Sequence, residues 1–233
     1  MDEFTLTRYI IAIAFLIILA IYVLVKLFYK KNPITINFLT RTGVFAAFST
    51  ILYIVPGLKF AVPFFPSFLE LHFDEIPSLI AGFAYGPLSG FFIILIKSII
   101  KLPFTTTLGV GELADFIYST FFIIPASCIY KKNRHIKGAI KGLTVGTLFQ
   151  LLVSSFITSF AILNFYIFIM GFSKDTIINM CHVINPAINS LGWPFLLMVA
   201  LPFNLFKDLI VIIITFLLYK KIHRWLDKIA QKN

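Results

Sequence analysis

The chain has 233 residues, of which 59% are hydrophobic and 13% charged, and it carries a net charge of +10. A mean hydropathy of +0.95 excludes an ordinary soluble protein and leaves no soluble domain of useful size. The positive charge does not point to nucleic acid, because Lys and Arg gather in short clusters at the ends of apolar runs, the pattern that orients membrane proteins.

In lipid, backbone polar groups can be satisfied only within helices or a closed barrel. The long apolar runs lack the alternation of barrel strands, so an all-α integral membrane protein is expected. The first run, Tyr9 to Val25, is uncharged. It follows Asp2 and Glu3, and no small-residue cleavage site comes after it, so a retained membrane helix over 8–29 is expected rather than a signal peptide. The basic residues Lys26, Lys30 and Lys31 close it, which makes 1–37 an N-terminal transmembrane helix with a basic linker. A second helix is expected over 38–55, stopping at Pro56-Gly57. Residues 56–73 read as a loop rich in Phe and Pro.

A third helix, 74–85, opens with Asp74 and Glu75, whose charges suit the positive end of the helix dipole. Gly86-Pro87 reverses the chain into a fourth helix over 88–102. The Thr105-Thr106-Thr107 run and Gly109 then lead to a fifth over 112–130. The sixth and seventh are expected over 138–168 and 193–221, separated by the comparatively polar stretch 169–192. With seven alternating spans, the basic clusters at 26–41, 131–141 and 220–228 all fall on one side. That side is the cytoplasm by the positive-inside rule, which puts the N-terminus out and the C-terminus in.

This topology gathers polar residues at the external end. Glu70, His72, Asp74 and Glu75 come from the first loop, Lys97 and Lys101 from the fourth helix, and Glu112 from the fifth. Asn164, Asn204 and Lys207 come from the last two. Ionisable groups in a membrane bundle mark a site by default. Each also has a plainer reading: Lys97 and Lys101 as snorkelling side chains, Lys207 as a partner of Asp208 or Glu112, and Glu112 as a dipole partner. The loop aromatics Phe60, Phe64, Phe65, Phe68 and Phe73 would suit an apolar lid over a flat ligand.

Gly138, Gly142 and Gly146 repeat at every fourth position, as Gly43 and Ala47 do. Such spacing serves close helix approach, either inside the bundle or against another membrane protein. Cys128 and Cys181 read as small core residues. The sequence contains no nucleotide-binding loop, zinc-protease or nucleophile-elbow motif, no metal-ligand spacing and no detectable internal repeat. No catalytic, cofactor or metal role is therefore expected.

Three segments carry a family resemblance. They are Phe68-Leu69-Glu70-Leu71-His72-Phe73-Asp74-Glu75-Ile76-Pro77 followed by Gly86-Pro87-Leu88-Ser89-Gly90; Gly109-Val110-Gly111-Glu112-Leu113-Ala114-Asp115-Phe116; and Pro202-Phe203-Asn204-Leu205-Phe206-Lys207. In this order they resemble the substrate-binding S components of energy-coupling factor (ECF) vitamin transporters, specifically the riboflavin-binding type, over roughly residues 38–222. The resemblance implies a six-helix bundle at 38–233, with the helix over 8–29 as an extra span. It also implies a bacterial plasma-membrane protein that binds a vitamin near its external face. A membrane scaffold (T) subunit and two cytoplasmic ATPases would energise uptake.

By position, Asn204 and Lys207 become the first candidates to hold riboflavin, followed by Asn164 and Glu112. Phe68, Leu69 and Lys97 join them, and Thr105 to Thr107 would line the entrance. Gly43 and Ala47 become candidate scaffold-docking positions. Departures from the family pattern include His72, Asp74 and Glu75 where Asp, Ser and Asp are usual, Asp115 for Asn, and Asp208 for Gly. They leave open another vitamin or an FMN-like flavin. A stand-alone proton-coupled transporter using Asp74, Glu75 or Glu112 is the remaining alternative.

Overall fold

Lipid-soluble composition forces the backbone to bond with itself, and the computed structural model of the chain is accordingly built almost wholly of helices. It describes residues 35–182 and 185–231, so the expected span over 8–29 lies outside the described residues. Residues 37–233 form one compact unit.

Helix α1 is Ile36–Ile54. A 3₁₀ turn at Pro56–Leu58 follows, then a small antiparallel ribbon of β1 (Phe60–Ala61) and β2 (Glu70–Leu71), with Phe60 opposite Leu71 and Ala61 opposite Glu70. This stretch was expected as plain loop. Two-residue strands carry no readable alternation, yet they let the loop satisfy part of its own backbone.

Helix α2 is Glu75–Tyr85 and α3 is Pro87–Lys101. The reversal between them needs Gly86, whose φ of 101° is open to glycine and strained for other residues. Pro87 supplies a preset φ for the first turn of α3. Helix α4 is Val110–Lys132 and starts after Gly109 at φ 86°. It carries Pro125 inside its span, an interruption that a membrane bundle tolerates.

Helix α5, Ile136–Phe168, widens into a π turn at Thr158–Ile162. A short helix, α6 (Lys174–His182), occupies the stretch expected to be a polar connection. Ile177 and Cys181 are buried, and they join Leu163, Ile188, Phe195 and Val199 in one cluster. Helix α7 begins at Trp193–Phe195, passes through a π turn at Leu196–Ala200 and continues as Leu201–Gln231. It therefore runs ten residues past its expected end at 221.

Among the described residues, four stretches are long and apolar enough to cross a bilayer: Pro87–Phe104, Val110–Lys132, Ile136–Phe168 and Trp193–Lys221. The chain is a multi-pass membrane protein. Its surface agrees, since Phe48, Leu152, Ile213 and Leu217 are all more than half exposed while Ser49, Ser119, Ser127 and Gln150 are buried. Lipid replaces water outside, so the apolar groups face outward and the polar ones turn inward.

The glycine repeat resolves into internal packing. A Cβ on Gly142 would lie 2.6 Å from the Ala126 carbonyl oxygen, and one on Gly146 would lie 2.4 Å from that of Phe122. Only hydrogen fits there, so α4 and α5 can pack backbone to backbone. Gly43, in contrast, faces open space. We expect Gly142→Val or Gly146→Val to destabilise the bundle by at least ~1–3 kcal/mol, seen as lost monodispersity and a lowered Tm in detergent. Gly43→Leu is expected to stay within about 0.5 kcal/mol of the parent.

Candidate functional site

The site is built on charges that the fold has taken out of solvent. Asp74 stands at the N-cap of α2, but its side chain does not cap the helix. One carboxylate oxygen is hydrogen-bonded to His72 Nδ1 and the other to the ammonium of Lys97. Lys97, fully buried on α3, also donates to Asp115 Oδ2 on α4 at 2.8 Å and to Ser119 Oγ at 3.2 Å. Ser119 donates onward to Glu75 Oε1 at 3.0 Å, and Gln150 of α5 approaches the same oxygen at 3.4 Å. Helix α7 joins through Lys207, whose Nζ lies 3.6 Å from Glu75 Oε2 and 3.5 Å from His72 Nε2. Helix α1 is tied in by Ser49, which donates to the Asp74 carbonyl at 2.6 Å.

A buried ammonium or carboxylate is tolerable only with partners of opposite charge and filled hydrogen bonds. The pairing meets that condition for Lys97, Asp74 and Asp115. Asp208 differs: it is fully buried and both its carboxylate oxygens lack a hydrogen-bond partner among the described residues. Donor atoms of His72, Asp74 and Asp115 fall within 4.8 Å of one another, close enough to suit a metal ion. The Lys97 ammonium already binds both carboxylates there, so an ion would have to displace it.

Against this network lies a cavity of about 520 Å³. His72, Asp115, Asn204 and Lys207 give it one polar wall, and Thr106, Thr107 and Glu112 give it another. Phe68, Leu69, Tyr166, Phe172, Ile177 and Met180 make the apolar part. Glu112 is held in place by the threonine run, since Thr105 and Thr107 donate to its Oε2 at 2.7 and 3.2 Å. Those hydroxyls are fixed in turn by the backbone N–H groups of Gly109 and Gly111, both at 3.0 Å. Asn204 spends one N–H on Ser155 at 3.2 Å, and its amide retains further donor and acceptor capacity. Three ammonium groups surround the Tyr53 ring, those of Lys97, Lys59 and Lys101 at 4.9, 5.5 and 5.6 Å from its centre.

The family model for the substrate-specific component of ECF transporters matches residues 37–219. The chain belongs to this family. It is therefore a transporter subunit rather than an enzyme. Riboflavin transporter RibU of Staphylococcus aureus (strain TCH60) is 32% identical over 200 residues, which cover 86% of this chain and 94% of that one. Riboflavin transporter FmnP of Bacillus subtilis (strain 168) is 26% identical over 77% of this chain and 90% of its own length. A solved structure of the S component of a bacterial ECF transporter superposes with a TM-score of 0.62 at 28% identity, covering 81% of this chain and 96% of that one.

In this S component the residues singled out from sequence divide into three groups. Phe68, Leu69, Glu112, Asn204 and Lys207 line the cavity together. Lys97 does not: it lies behind the wall as the counter-ion of Asp74 and Asp115, which excludes snorkelling. Asn164 is also off the lining, with its Nδ2 donating to the Phe160 carbonyl at 2.7 Å within α5. Gly43 and Ala47 sit on an exposed face of α1, away from the cavity. Lys207 reaches Glu75 and His72 rather than Asp208 or Glu112.

Sequence reasoning did not select Tyr53, Tyr118, Tyr166 or the α6 residues Ile177 and Met180 as lining. Tyrosine is common in this chain, and α6 was not expected as a helix at all. Asp115 had a usable signal, three residues after Glu112 and hence on a neighbouring helical face.

We expect Lys97→Met to leave two buried carboxylates unbalanced and to cost about 3–5 kcal/mol, measured as a fall in Tm. The double variant Lys97→Met with Asp115→Asn is expected to recover part of that loss.

Proposed function

We propose that this chain is the riboflavin-capturing subunit of a bacterial ECF importer, embedded in the plasma membrane. The single observation behind this reading is the cavity, whose volume lies within the ~300–1,000 Å³ usual for small-molecule sites. Its apolar part suits a flat aromatic ring system, and its polar walls suit the ring's carbonyl and N–H edge together with a chain of hydroxyls. The two curated relatives named above, both called riboflavin transporters, make a flavin the natural occupant.

In this reading Asn204 and Lys207 bond the polar edge of the ring. Phe68, Leu69 and Tyr166 pack on its faces, and Glu112 with Thr107 receives the hydroxylated tail. Lys97 serves from behind the wall, by holding Asp74 and Asp115 in place, and Asn164 serves by fixing the α5 backbone beside Leu163. Six membrane helices within 38–233, α1 to α5 and α7, form the binding domain, and 1–37 adds a seventh span, with the N-terminus outside and the C-terminus inside. Energy comes from two separate ATPases acting through a membrane scaffold subunit. The exposed Gly43/Ala47 face of α1 is where that scaffold docks, because small residues let a partner helix approach closely. Riboflavin is cargo here, not a cofactor.

The test is a riboflavin titration of the purified protein, read as quenching of flavin fluorescence by stacking on aromatics. Strong quenching supports the reading, and none at micromolar protein sinks it. Lys207→Ala is expected to weaken binding by about tenfold or more, the loss of one charge-assisted hydrogen bond of ~1.5–3 kcal/mol. Gly43→Leu and Ala47→Leu are expected to bind normally in detergent yet fail to support uptake in cells that express the scaffold and ATPases. Normal uptake would remove the docking assignment.

A further inference from the structure

We propose that Glu112 determines which form of the flavin the cavity takes. Fixed by Thr105 and Thr107, it admits an uncharged, hydroxylated tail and turns away a phosphorylated one. The inference rests on the riboflavin reading above, in which Glu112 meets the tail.

The hydrogen-bond donors around Glu112 are already committed. The N-terminus of a long helix such as α4, with its N–H groups and positive dipole end, would ordinarily suit a phosphate. Here the chain fills that end itself. Thr105 Oγ1 accepts from the N–H groups of Thr107 and Gly109 at 3.1 and 3.0 Å, and Thr107 Oγ1 accepts from that of Gly111 at 3.0 Å. The Val110 N–H goes to the Thr107 carbonyl at 3.1 Å. A threonine hydroxyl has a single proton. Those of Thr105 and Thr107 are directed to Glu112 Oε2, at 2.7 and 3.2 Å. The two hydroxyls lie 3.3 Å apart, so a proton exchanged between them stays within the trio.

What this wall offers a ligand is therefore an acceptor and a negative charge. Both threonine bonds go to Oε2, which leaves Oε1 for whatever enters the cavity that Glu112 lines. An ionised carboxylate only accepts. A hydroxyl can donate to it and form a charge-assisted bond. A phosphate brings a charge of about −1.5 to −2 at pH 7. It would meet the carboxylate's charge and find those hydroxyl protons and N–H groups already taken. Thr106 adds a neutral hydroxyl at an exposed position of the lining, which suits a polyol as well as an anion.

The ammonium groups in the lining do not reverse this preference. Lys59 is paired with Glu70 at 3.3 Å, and both line the cavity. Lys207 is engaged by Glu75 and meets the ring edge in the riboflavin reading. Lys101 lies 5.6 Å from the centre of the Tyr53 ring and is more exposed than Glu112, which is 5% exposed. Charges open to solvent are screened and buried ones much less so. The carboxylate therefore dominates where the tail ends.

The experiment uses the full chain in detergent at neutral pH and titrates two flavins, riboflavin and riboflavin 5′-phosphate, by fluorescence quenching. The parent is expected to bind riboflavin at least about tenfold more tightly than the phosphate, because like charges are brought together only at a cost. Glu112→Gln, whose amide can donate to a phosphate, is expected to bind riboflavin more weakly and the phosphate more tightly. The ratio should narrow by about tenfold. Equal parent affinity for the two flavins, or an unchanged ratio in Glu112→Gln, would overturn the proposal.

Should Glu112→Gln quench neither flavin, Thr105→Val decides in its place. It is close in shape, removes one donor from Glu112 and releases the N–H groups of Thr107 and Gly109. The ratio is again expected to narrow, and an unchanged one overturns the specificity role. Failure of the two readings is distinguishable in the parent. Quenching by riboflavin with equal affinity for its phosphate overturns the specificity role and leaves flavin capture standing. No quenching by either flavin sinks flavin capture, and this inference with it.

Discussion

The Lys97 ammonium, held between Asp74 and Asp115, is the interaction on which the site depends. Each of the three charges would be prohibitive alone inside a membrane bundle. Together, with Ser119 filling a further donor, they become tolerable only in one arrangement of α3, α4 and the entry to α2. That stringency is useful because several long helices with interchangeable apolar faces could slide against one another at little cost. The ion pairs fix one register, and the Ser49 bond to the Asp74 carbonyl extends it to α1.

The cavity inherits this rigidity. Its polar groups are mostly engaged before any ligand arrives: Glu112 by two threonine hydroxyls, Asn204 by Ser155, and Lys207 by Glu75 and His72. A ligand meets groups already oriented, so little ordering entropy is lost on binding. The apolar part is held differently. Residues from the hairpin loop and from α6 share a cluster with Leu163, Phe195 and Val199, and dispersion and lipid exclusion do there what ion pairs do behind the polar wall. Both π turns, Thr158–Ile162 and Leu196–Ala200, pack against each other beside this region. Such widened turns often accompany functional sites, and Thr158 and Ile162 project from one of them into the lining.

Much of this was legible in the sequence, for definite reasons. The apolar helices within 38–221 were readable, α6 apart, because a bilayer permits hardly any other secondary structure for runs that apolar. Gly86 and Gly109 marked reversals because their positive φ excludes most other residues. Glu112, Asn204 and Lys207 stood out because polar groups inside apolar runs are costly and rarely idle. The hairpin and α6 were not legible, one because two-residue strands have no period and the other because its nine residues mix polar and apolar types.

By itself, then, the sequence determined the helical membrane class, the order of the described spans and a short roster of polar residues bound to be buried. Which of those residues face the cavity was decided only by the tertiary structure. Lys97 and Lys207 are alike as sequence signals, each a lysine that interrupts an apolar run. Packing sends one behind the wall, between two carboxylates, and leaves the other at the lining beside His72. Pairing of charges is a property of distance across helices, and that distance is set by how α2, α3, α4 and α7 pack, not by spacing along any one of them.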